Sequence, residues 1–292
     1  MKPVRFDYTA AHDVAEAVAL LTQHGDAAKL LAGGQSLVPM MNLRLARPGV
    51  LIDLNRIPQR DEIAAEGGVL RVGLLARQRA AERSAVVRDH LPLLGEAITQ
   101  IGHAQIRSRG TLVGSVCHAD PAAEIPAVLL ATDGSVRVQG PGGVREIPAQ
   151  EFFLGYFQTA LAPDEVATDL LFPLPAAGTG SAFLEFARRH GDFALVAVAA
   201  LLALSADGTV QRAVLALSGA GPAPVRAPQA EAFLAGRRAD ESAFAEAARI
   251  AAGEIEPTDD VQASAAYRTQ LAQTLVARAL SAAAARATKG VA

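Results

Sequence analysis

The sequence is poor in cysteine, and this limits the chemistry that the chain can carry by itself. Its 292 residues include one cysteine, Cys117, and no tryptophan. A single cysteine cannot form an intramolecular disulfide, a CxxC redox pair, a four-cysteine zinc site or the ligand set of an iron–sulfur cluster. Because its neighbours are small and apolar, we expect Cys117 to be an inert core thiol.

Long apolar runs and an excess of one charge are also missing. The longest apolar stretch, residues 193–204, is shorter than the roughly 18 residues that a membrane span requires. The start of the chain lacks the charged and apolar regions of a secretory signal. Lys and Arg number 27 against 30 Asp and Glu, which gives no basic surface for nucleic acid. We therefore expect a cytoplasmic protein with no transmembrane segment and no nucleic-acid partner.

The apolar pattern predicts a mixed α+β chain of about two domains. Val14, Val18 and Leu21 have helical spacing, and residues 50–54 are predicted to form a buried strand. Further strands and helices follow until the Pro- and Gly-rich linker near residue 175. We predict a first domain at 1–175, with subdomains at about 1–55 and 56–175. A second domain at 180–288 would have a small antiparallel sheet covered by helices.

Two segments rich in glycine could approach a phosphorylated ligand. In the first, Ala32–Ser36, the predicted strand ends in Gly33-Gly34, where backbone N–H groups are unshielded and Ser36 adds a donor. The spacing matches neither GxGxxG nor GxxxxGK[ST], so an ordinary glycine turn is the alternative. The second segment, Gly110–Ser115, follows a polar stretch that we expect to be a loop, residues 103–109. Together the two segments suggest a diphosphate-containing ligand.

Other polar residues give weaker signals. Asp120 and Glu124 would repel phosphate, so they suit ribose or ribityl hydroxyl groups better. His118 and Asp120 lack a third anchored ligand, and no metal site is predicted. The sequence has no GxSxG motif and no catalytic residue that we can assign. The run Arg188–His190 is most simply a solvated charged segment.

The motifs resemble one known family. LLAGGQSLVPMMNLRLARPGVLIDLN (30–55) and RSRGTLVGSVCHADPAAEIPAVLLA (107–131) resemble the two flavin loops of the FAD-binding medium subunits of molybdenum hydroxylases. This family includes the medium chains of carbon monoxide dehydrogenase and N-heterocycle hydroxylases, and the FAD-binding part of xanthine dehydrogenase. RRHGDFALV (188–196), LSGAGPAPVRA (217–227) and SAAYRTQLAQTLVARAL (264–280) are similar to its C-terminal domain. The resemblance covers nearly the whole chain.

The resemblance implies a vanillyl-alcohol-oxidase-like (PCMH-type) FAD-binding domain in two subdomains, followed by the small C-terminal domain. Asp120 and Glu124 would lie near the ribityl and ribose groups, and Phe193 against the isoalloxazine, with plain core packing as the alternative for Phe193. Family members often carry Lys where this chain has Glu185, a departure that leaves the tuning of the flavin open. The positions that match the family's FAD contacts are Ala32, Gly33, Gly34, Gln35, Ser36, Leu37, Thr111, Leu112, Val113, Gly114, Ser115, Asp120, Glu124 and Phe193.

The resemblance also implies partner chains. A large subunit with a molybdopterin cofactor would oxidise the substrate, and two [2Fe–2S] clusters in a small subunit would pass electrons to FAD in this chain. An external acceptor would then reoxidise the flavin. The expected assembly is a dimer of heterotrimers, in contact with the inner face of a membrane only through the complex. Carbon monoxide, a purine, an N-heterocycle and an aldehyde all stay open as substrates, and the acceptor is also open.

Two alternatives compete with this interpretation. A free-standing FAD-dependent oxidase or dehydrogenase of the same fold would need its own catalytic base, and Tyr8, Tyr156, Tyr267 and His190 are scattered candidates. A nonenzymatic scaffold would use the glycine segments only as turns. Both flavoprotein hypotheses predict a visible flavin absorbance, whereas the scaffold hypothesis predicts none.

Overall fold

The first unit of the chain is a small parallel sheet crossed by a helix. The computed structural model describes residues 2–287, so residue 288, the predicted end of the second domain, lies outside the described residues. The sheet has the order β1-β3-β2. Val14, Val18 and Leu21 are buried, which confirms the predicted helical stripe. The elements are β1 (Asp7–Ala10), α1 (Val14–His24), β2 (Ala28–Leu31), α2 (Leu37–Asn42) and β3 (Val50–Asp53).

The second unit is a five-stranded antiparallel sheet in the order β4-β5-β10-β6-β7, with helices inserted between its second and third strands in sequence. Its five strands are β4 (Ile63–Glu66), β5 (Val69–Gly73), β6 (Ser135–Gly140), β7 (Gly143–Pro148) and β10 (Val166–Pro173). Two short strands, β8 (Phe153–Gly155) and β9 (Gln158–Thr159), pair with each other in a separate two-stranded sheet. The helices are α3 (Gln78–Arg83), α4 (Ala85–His90), α5 (Pro92–Gln100), α6 (Ala104–Arg109), α7 (Leu112–His118), α8 (Glu124–Ala131) and α9 (Ala149–Phe152).

The third unit is an antiparallel sheet, β11-β12-β13-β14, with helices on one face. Its elements are β11 (Gly180–Phe186), β12 (Val196–Leu204), β13 (Val210–Ser218), β14 (Val225–Arg226), α10 (Pro228–Leu234), α11 (Glu241–Ala251) and α12 (Ala265–Ala287). Gly180 lies against the backbone of α12 at Ala283, where a Cβ would collide. Among residues 2–287, no helix combines the length and apolarity needed to cross a bilayer.

The third unit packs on the second through the other face of its sheet. Phe183, Ala199 and Leu201 belong to the core of the first two units, whereas Ala182 and Val198 belong to the core shared with α10–α12. Alternate residues of a strand point to opposite faces, so this division follows directly from the sequence pattern. The mixed α+β class and the small helix-covered antiparallel sheet are as predicted.

One local prediction was wrong. Residues 103–109, expected to be a polar loop, contain α6, because the Arg107 guanidinium is buried and bonds Glu82 and the carbonyl of Ile101. The apolar periodicity did not indicate this helix, because α6 buries a charged residue. Helix α2 begins at Leu37, and Pro39 lies in its first turn, where no backbone N–H is required.

Candidate functional site

The two glycine segments lie in direct backbone contact. A Cβ built on Gly33 would stand 2.5 Å from the carbonyl oxygen of Arg109 and 2.8 Å from the Cα of Gly110. Only glycine allows this approach without displacing one of the two chains. Gly34 has φ of +73°, a conformation that other residues rarely adopt. The segment between β2 and α2 therefore forms one wall of a cradle, and the start of α7 forms the other.

The second segment is the start of a helix and not a loop, which corrects the sequence prediction. The Thr111 Oγ1 accepts a hydrogen bond from the N–H of Gly114 at 3.1 Å and caps α7. Leu112 and Val113 are buried in the core, so only their backbone can contact a ligand. Thr111 is itself only 3% exposed.

Arg77 fastens the two walls of the cradle together, a role that the sequence did not reveal. Its guanidinium donates to the Arg109 carbonyl oxygen and to the Asn55 Oδ1. The Asn55 side-chain amide in turn donates to the Ala32 carbonyl oxygen at 2.9 Å. Burial and then the charge of Arg109 lower the pKa of Arg77. Two neighbouring cations of this kind favour an anionic ligand beside them.

A cavity of about 350 Å³ opens beside the first wall. Its polar lining includes Asn42, Asp53, Asn55 and Arg109, none of which was predicted as a site residue. The Tyr8 hydroxyl donates to Asp53 at 2.6 Å and holds that carboxylate at the rim. Asp53 and Asn55 follow the carboxyl end of β3, a position that could have indicated them, since ligands often bind where parallel strands end. The remaining lining residues are Leu31, Ala32, Gly33, Gly34, Gln35, Val38 and Pro39.

The other predicted residues of the first segment have local roles. The Gln35 side-chain amide donates to the Gly33 carbonyl oxygen at 3.2 Å and closes the turn on itself. Ser36 occupies the N-cap position of α2 without a side-chain capping bond, so its hydroxyl makes no bond to the helix it precedes. Leu37 is the first residue of α2.

Asp120 follows the end of α7 that is far from Thr111, and Glu124 is the first residue of α8. Helix α7 has seven residues and is therefore about 10 Å long, so an elongated ligand would be needed to reach both ends. The Asp120 Oδ1 accepts from the Ala122 N–H, which shapes the turn into α8. Glu124 is only 6% exposed, and burial raises its pKa to about 7.

Phe193 is 66% exposed, so it is not a core residue, and the alternative of plain core packing is excluded. It follows a turn at Gly191, where φ is +88° and a Cβ would meet the His103 ring at 2.5 Å. The rings of His103 and His190 stack with centroids 6.3 Å apart. These contacts fix the segment that carries Phe193 against the start of α6 and leave an aromatic face open.

The remaining candidates have structural explanations. Burial raises the pKa of the Cys117 thiol to about 12, as expected of an unreactive core cysteine. Burial lowers the pKa of His118, and its ring packs on the Phe157 ring with the two ring centroids 5.1 Å apart. Within residues 2–287, no three or more His, Cys, Asp or Glu side chains are grouped to hold a metal ion.

Family models agree with this architecture over nearly the full chain. The FAD-binding domain in molybdopterin dehydrogenase matches residues 4–175, and the CO dehydrogenase flavoprotein C-terminal domain matches residues 181–283. The chain belongs to the FAD-binding medium subunits of molybdenum hydroxylases. It is thus an oxidoreductase subunit with FAD as its cofactor, and in this family the catalytic molybdenum lies on another subunit.

Relatives within the family have different substrates in their names. The chain is 40% identical over 280 residues to 6-hydroxypseudooxynicotine dehydrogenase complex subunit alpha of Paenarthrobacter nicotinovorans, covering 96% of this chain and 95% of the relative. It superposes with a TM-score of 0.95 and 43% identity on a chain of carbon monoxide dehydrogenase from Hydrogenophaga pseudoflava, covering 98% and 99%. For quinoline 2-oxidoreductase from Pseudomonas putida 86 the TM-score is 0.93 at 34% identity, covering 98% and 99%. The two solved structures, whose names give different substrates, therefore share the fold of this chain over nearly its whole length.

Proposed function

We propose that this chain is the electron-transfer subunit of a molybdenum hydroxylase complex. FAD held here would receive electrons from two [2Fe–2S] clusters on a small partner subunit and pass them to an external acceptor. A large partner subunit would hold the molybdopterin cofactor and oxidise the substrate. The single cysteine of this chain supports this division, because the chain cannot supply the cluster ligands itself. We also propose assembly as a dimer of heterotrimers and a domain division at 1–175 and 180–288.

The contact of Gly33 with Arg109 and Gly110 is the observation that carries the proposal. It brings the N–H groups of both segments to one cradle, and the paired cations Arg77 and Arg109 favour a diphosphate beside it. A side chain at residue 33 would collide with the backbone of Arg109 and Gly110 and separate the two walls, so glycine at this position keeps both segments close enough to bind one ligand. The cofactor supplies the redox chemistry, and the protein supplies binding, orientation and electrostatics.

Each predicted site residue has a role in this proposal. Residues 32–37 and 111–115 would hold the diphosphate, mainly through their backbone. Asp120 and Glu124, which follow α7 in the chain, would accept hydrogen bonds from ribityl and ribose hydroxyls. Phe193 would lie against the isoalloxazine and exclude water from one side of it.

The first test uses the chain alone. We expect the purified protein to bind added FAD and to show the two-banded visible absorbance of an oxidised flavin. A folded chain that binds no FAD, either alone or when co-purified with its partners, contradicts the proposal.

The second test tags this chain in its native host and measures molybdenum, iron and flavin in the purified material. We expect one molybdenum, the iron of two [2Fe–2S] clusters and one FAD for each copy of the chain. A flavoprotein that purifies without metal and oxidises small substrates by itself would instead be a free-standing oxidase or dehydrogenase.

A further inference from the structure

Arg268 on α12 joins three separate segments of the chain. It is only 7% exposed, so protein groups must compensate its charge. Its guanidinium donates to the Leu195 carbonyl oxygen at 2.5 Å, to the Gly219 carbonyl oxygen at 3.4 Å and to the Asp260 carboxylate at 2.7 Å. A planar guanidinium with five donors binds several acceptors in fixed directions. Arg268 therefore fixes the loops that contain these three residues relative to α12.

Leu195 is the last residue of the loop that carries Phe193, which we call the Phe193 loop (residues 187–195). The Leu195 N–H donates at 2.8 Å to the carbonyl oxygen of the last residue of β11, so the loop is closed where β12 begins. Gly191 in the same loop lies against the ring of His103, the residue before α6. The Phe193 loop is thus held at two points, at its C-terminal end and against the start of α6.

Gly219 contacts the segment that carries Asp120, which we call the Asp120 segment (residues 119–123). The Gly219 N–H donates to the carbonyl oxygen of Pro121, the residue after Asp120, at 2.8 Å. Its φ is +71°, and a Cβ at this position would collide with the Leu195 carbonyl oxygen. The same point of the third unit therefore contacts the Asp120 segment and the end of the Phe193 loop.

These contacts close a ring that begins and ends at the cradle. Helix α6 leads from the Phe193 loop to Arg109 in the cradle, and α7 leads from Thr111 in the cradle to the Asp120 segment. The third unit joins the other ends of these two helices through the contacts of Arg268. The two segments that carry predicted site residues are therefore tied to each other as well as to the cradle.

Arg226 makes a comparable connection at another place. On β14 it pairs with Glu231 and Asp133 and donates to the Leu130 carbonyl oxygen at 3.3 Å. It thereby joins the third unit to the C-terminal part of α8, and these partners lie outside the Phe193 loop and the Asp120 segment. A comparison of the two arginines separates a general loss of stability from an effect on the site.

We propose that Arg268 is a positioning residue of the FAD site, which holds the Phe193 loop and the Asp120 segment in the arrangement that binds the cofactor. The inference rests on the proposed function. Arg268 acts through backbone carbonyl groups of the third unit and requires no contact of its own with FAD. Without it the two segments are free to separate, and FAD binding must order them again, which lowers the affinity.

The first test measures the dissociation constant of FAD for the full chain by flavin fluorescence titration. Arg268→Met removes the bonds to both carbonyl oxygens and should weaken binding about tenfold or more. Arg268→Lys keeps the charge but lacks the planar fork, so we expect an affinity between those of the wild type and Arg268→Met.

Arg226→Met is the matched control, because it also removes a guanidinium that joins the third unit to the second. Its affinity for FAD should stay within about twofold of the wild type, since the change is remote from the ring. Similar losses of affinity in the two methionine variants would overturn the proposal. If Arg268→Met does not fold, Arg268→Lys and Arg226→Lys provide the same comparison.

A double variant tests whether Arg268 acts through the Phe193 loop. Phe193→Ala should weaken FAD binding less in Arg268→Met than in the wild type, because the aromatic ring is already displaced there. In Arg226→Met the same substitution should have its full effect. An undiminished effect of Phe193→Ala in Arg268→Met would contradict a positioning role.

Hydrogen exchange of the chain without FAD separates a failure of this inference from a failure of the proposed function. The N–H groups of Leu195 and Gly219 both donate to carbonyl oxygens of other segments, so their exchange reports whether these contacts are kept. We expect faster exchange at both positions in Arg268→Met and wild-type exchange in Arg226→Met. Unchanged exchange in Arg268→Met would overturn the proposal. A wild type that binds no FAD, alone or in its complex, would instead remove the proposed function.

Discussion

Gly33 and Arg109 are in backbone contact, with the position of a Gly33 Cβ only 2.5 Å from the Arg109 carbonyl oxygen. Gly33 follows β2 of the first unit, whereas Arg109 is the last residue of α6 in the second unit. Arg77 bonds the same carbonyl oxygen and, through Asn55, reaches the first segment as well. The cradle therefore depends on contacts among three segments of the chain, and none of these segments predicts it alone.

Gly33→Ala should weaken FAD binding at least tenfold, or about 1.4 kcal/mol, because the added methyl group must separate the two walls. Gly142→Ala is the matched control, since a Cβ there meets nothing within 4 Å. Flavin fluorescence titration of both folded variants measures the effect. Equal affinities for the two variants would show that the cradle is not the FAD site.

Arg77→Ala should lower the free energy of unfolding by about 1–3 kcal/mol, because it removes a charged donor from the carbonyl of Arg109 and the side chain of Asn55. FAD affinity should fall in the same variant. Arg88→Ala, which removes an exposed guanidinium paired with Asp89, is the control and should change stability by less than about 0.5 kcal/mol. Urea unfolding of both variants checks the difference, and similar losses would contradict the proposed role of Arg77.

Thr111→Val should destabilise the protein without FAD by about 1 kcal/mol, because it removes the N-cap of α7 with little change of shape. Thr22→Val makes the same chemical change inside α1, where the hydroxyl only donates to the Val18 carbonyl oxygen. We expect that control to be almost neutral in chemical denaturation. If the two variants lose the same stability, the Thr111 bond to Gly114 does not support the helix.

Phe193→Ala should leave the stability of the apoprotein within about 0.5 kcal/mol of the wild type, because the ring is mostly exposed. The same change should weaken FAD binding by about 0.5–1.5 kcal/mol if the ring stacks on the isoalloxazine. Phe193→Tyr keeps the aromatic face and should bind FAD like the wild type. Isothermal titration with FAD distinguishes these outcomes, and an unchanged affinity of Phe193→Ala would remove the ring from the site.

Local sequence patterns were sufficient to predict helix α1, the small antiparallel sheet and the family. The spacing of Val14, Val18 and Leu21 gave α1, because a helix buries one stripe, and the apolar strands after residue 180 gave the small antiparallel sheet. The two glycine segments identified the family by resemblance, and the family models match over nearly the whole chain. These features depend on residues that are neighbours in the sequence, so periodicity and motif spacing were sufficient to find them.

Only the tertiary structure decided which distant groups meet. Helix α6 was missed because its stability depends on Arg107 reaching Glu82 on another helix. The role of Arg77 depends on the close approach of three segments, and the raised pKa of Glu185 depends on its burial and then on the charge of Glu124. Burial and partner choice are set by packing between segments, a property that the order of residues within any one segment does not show.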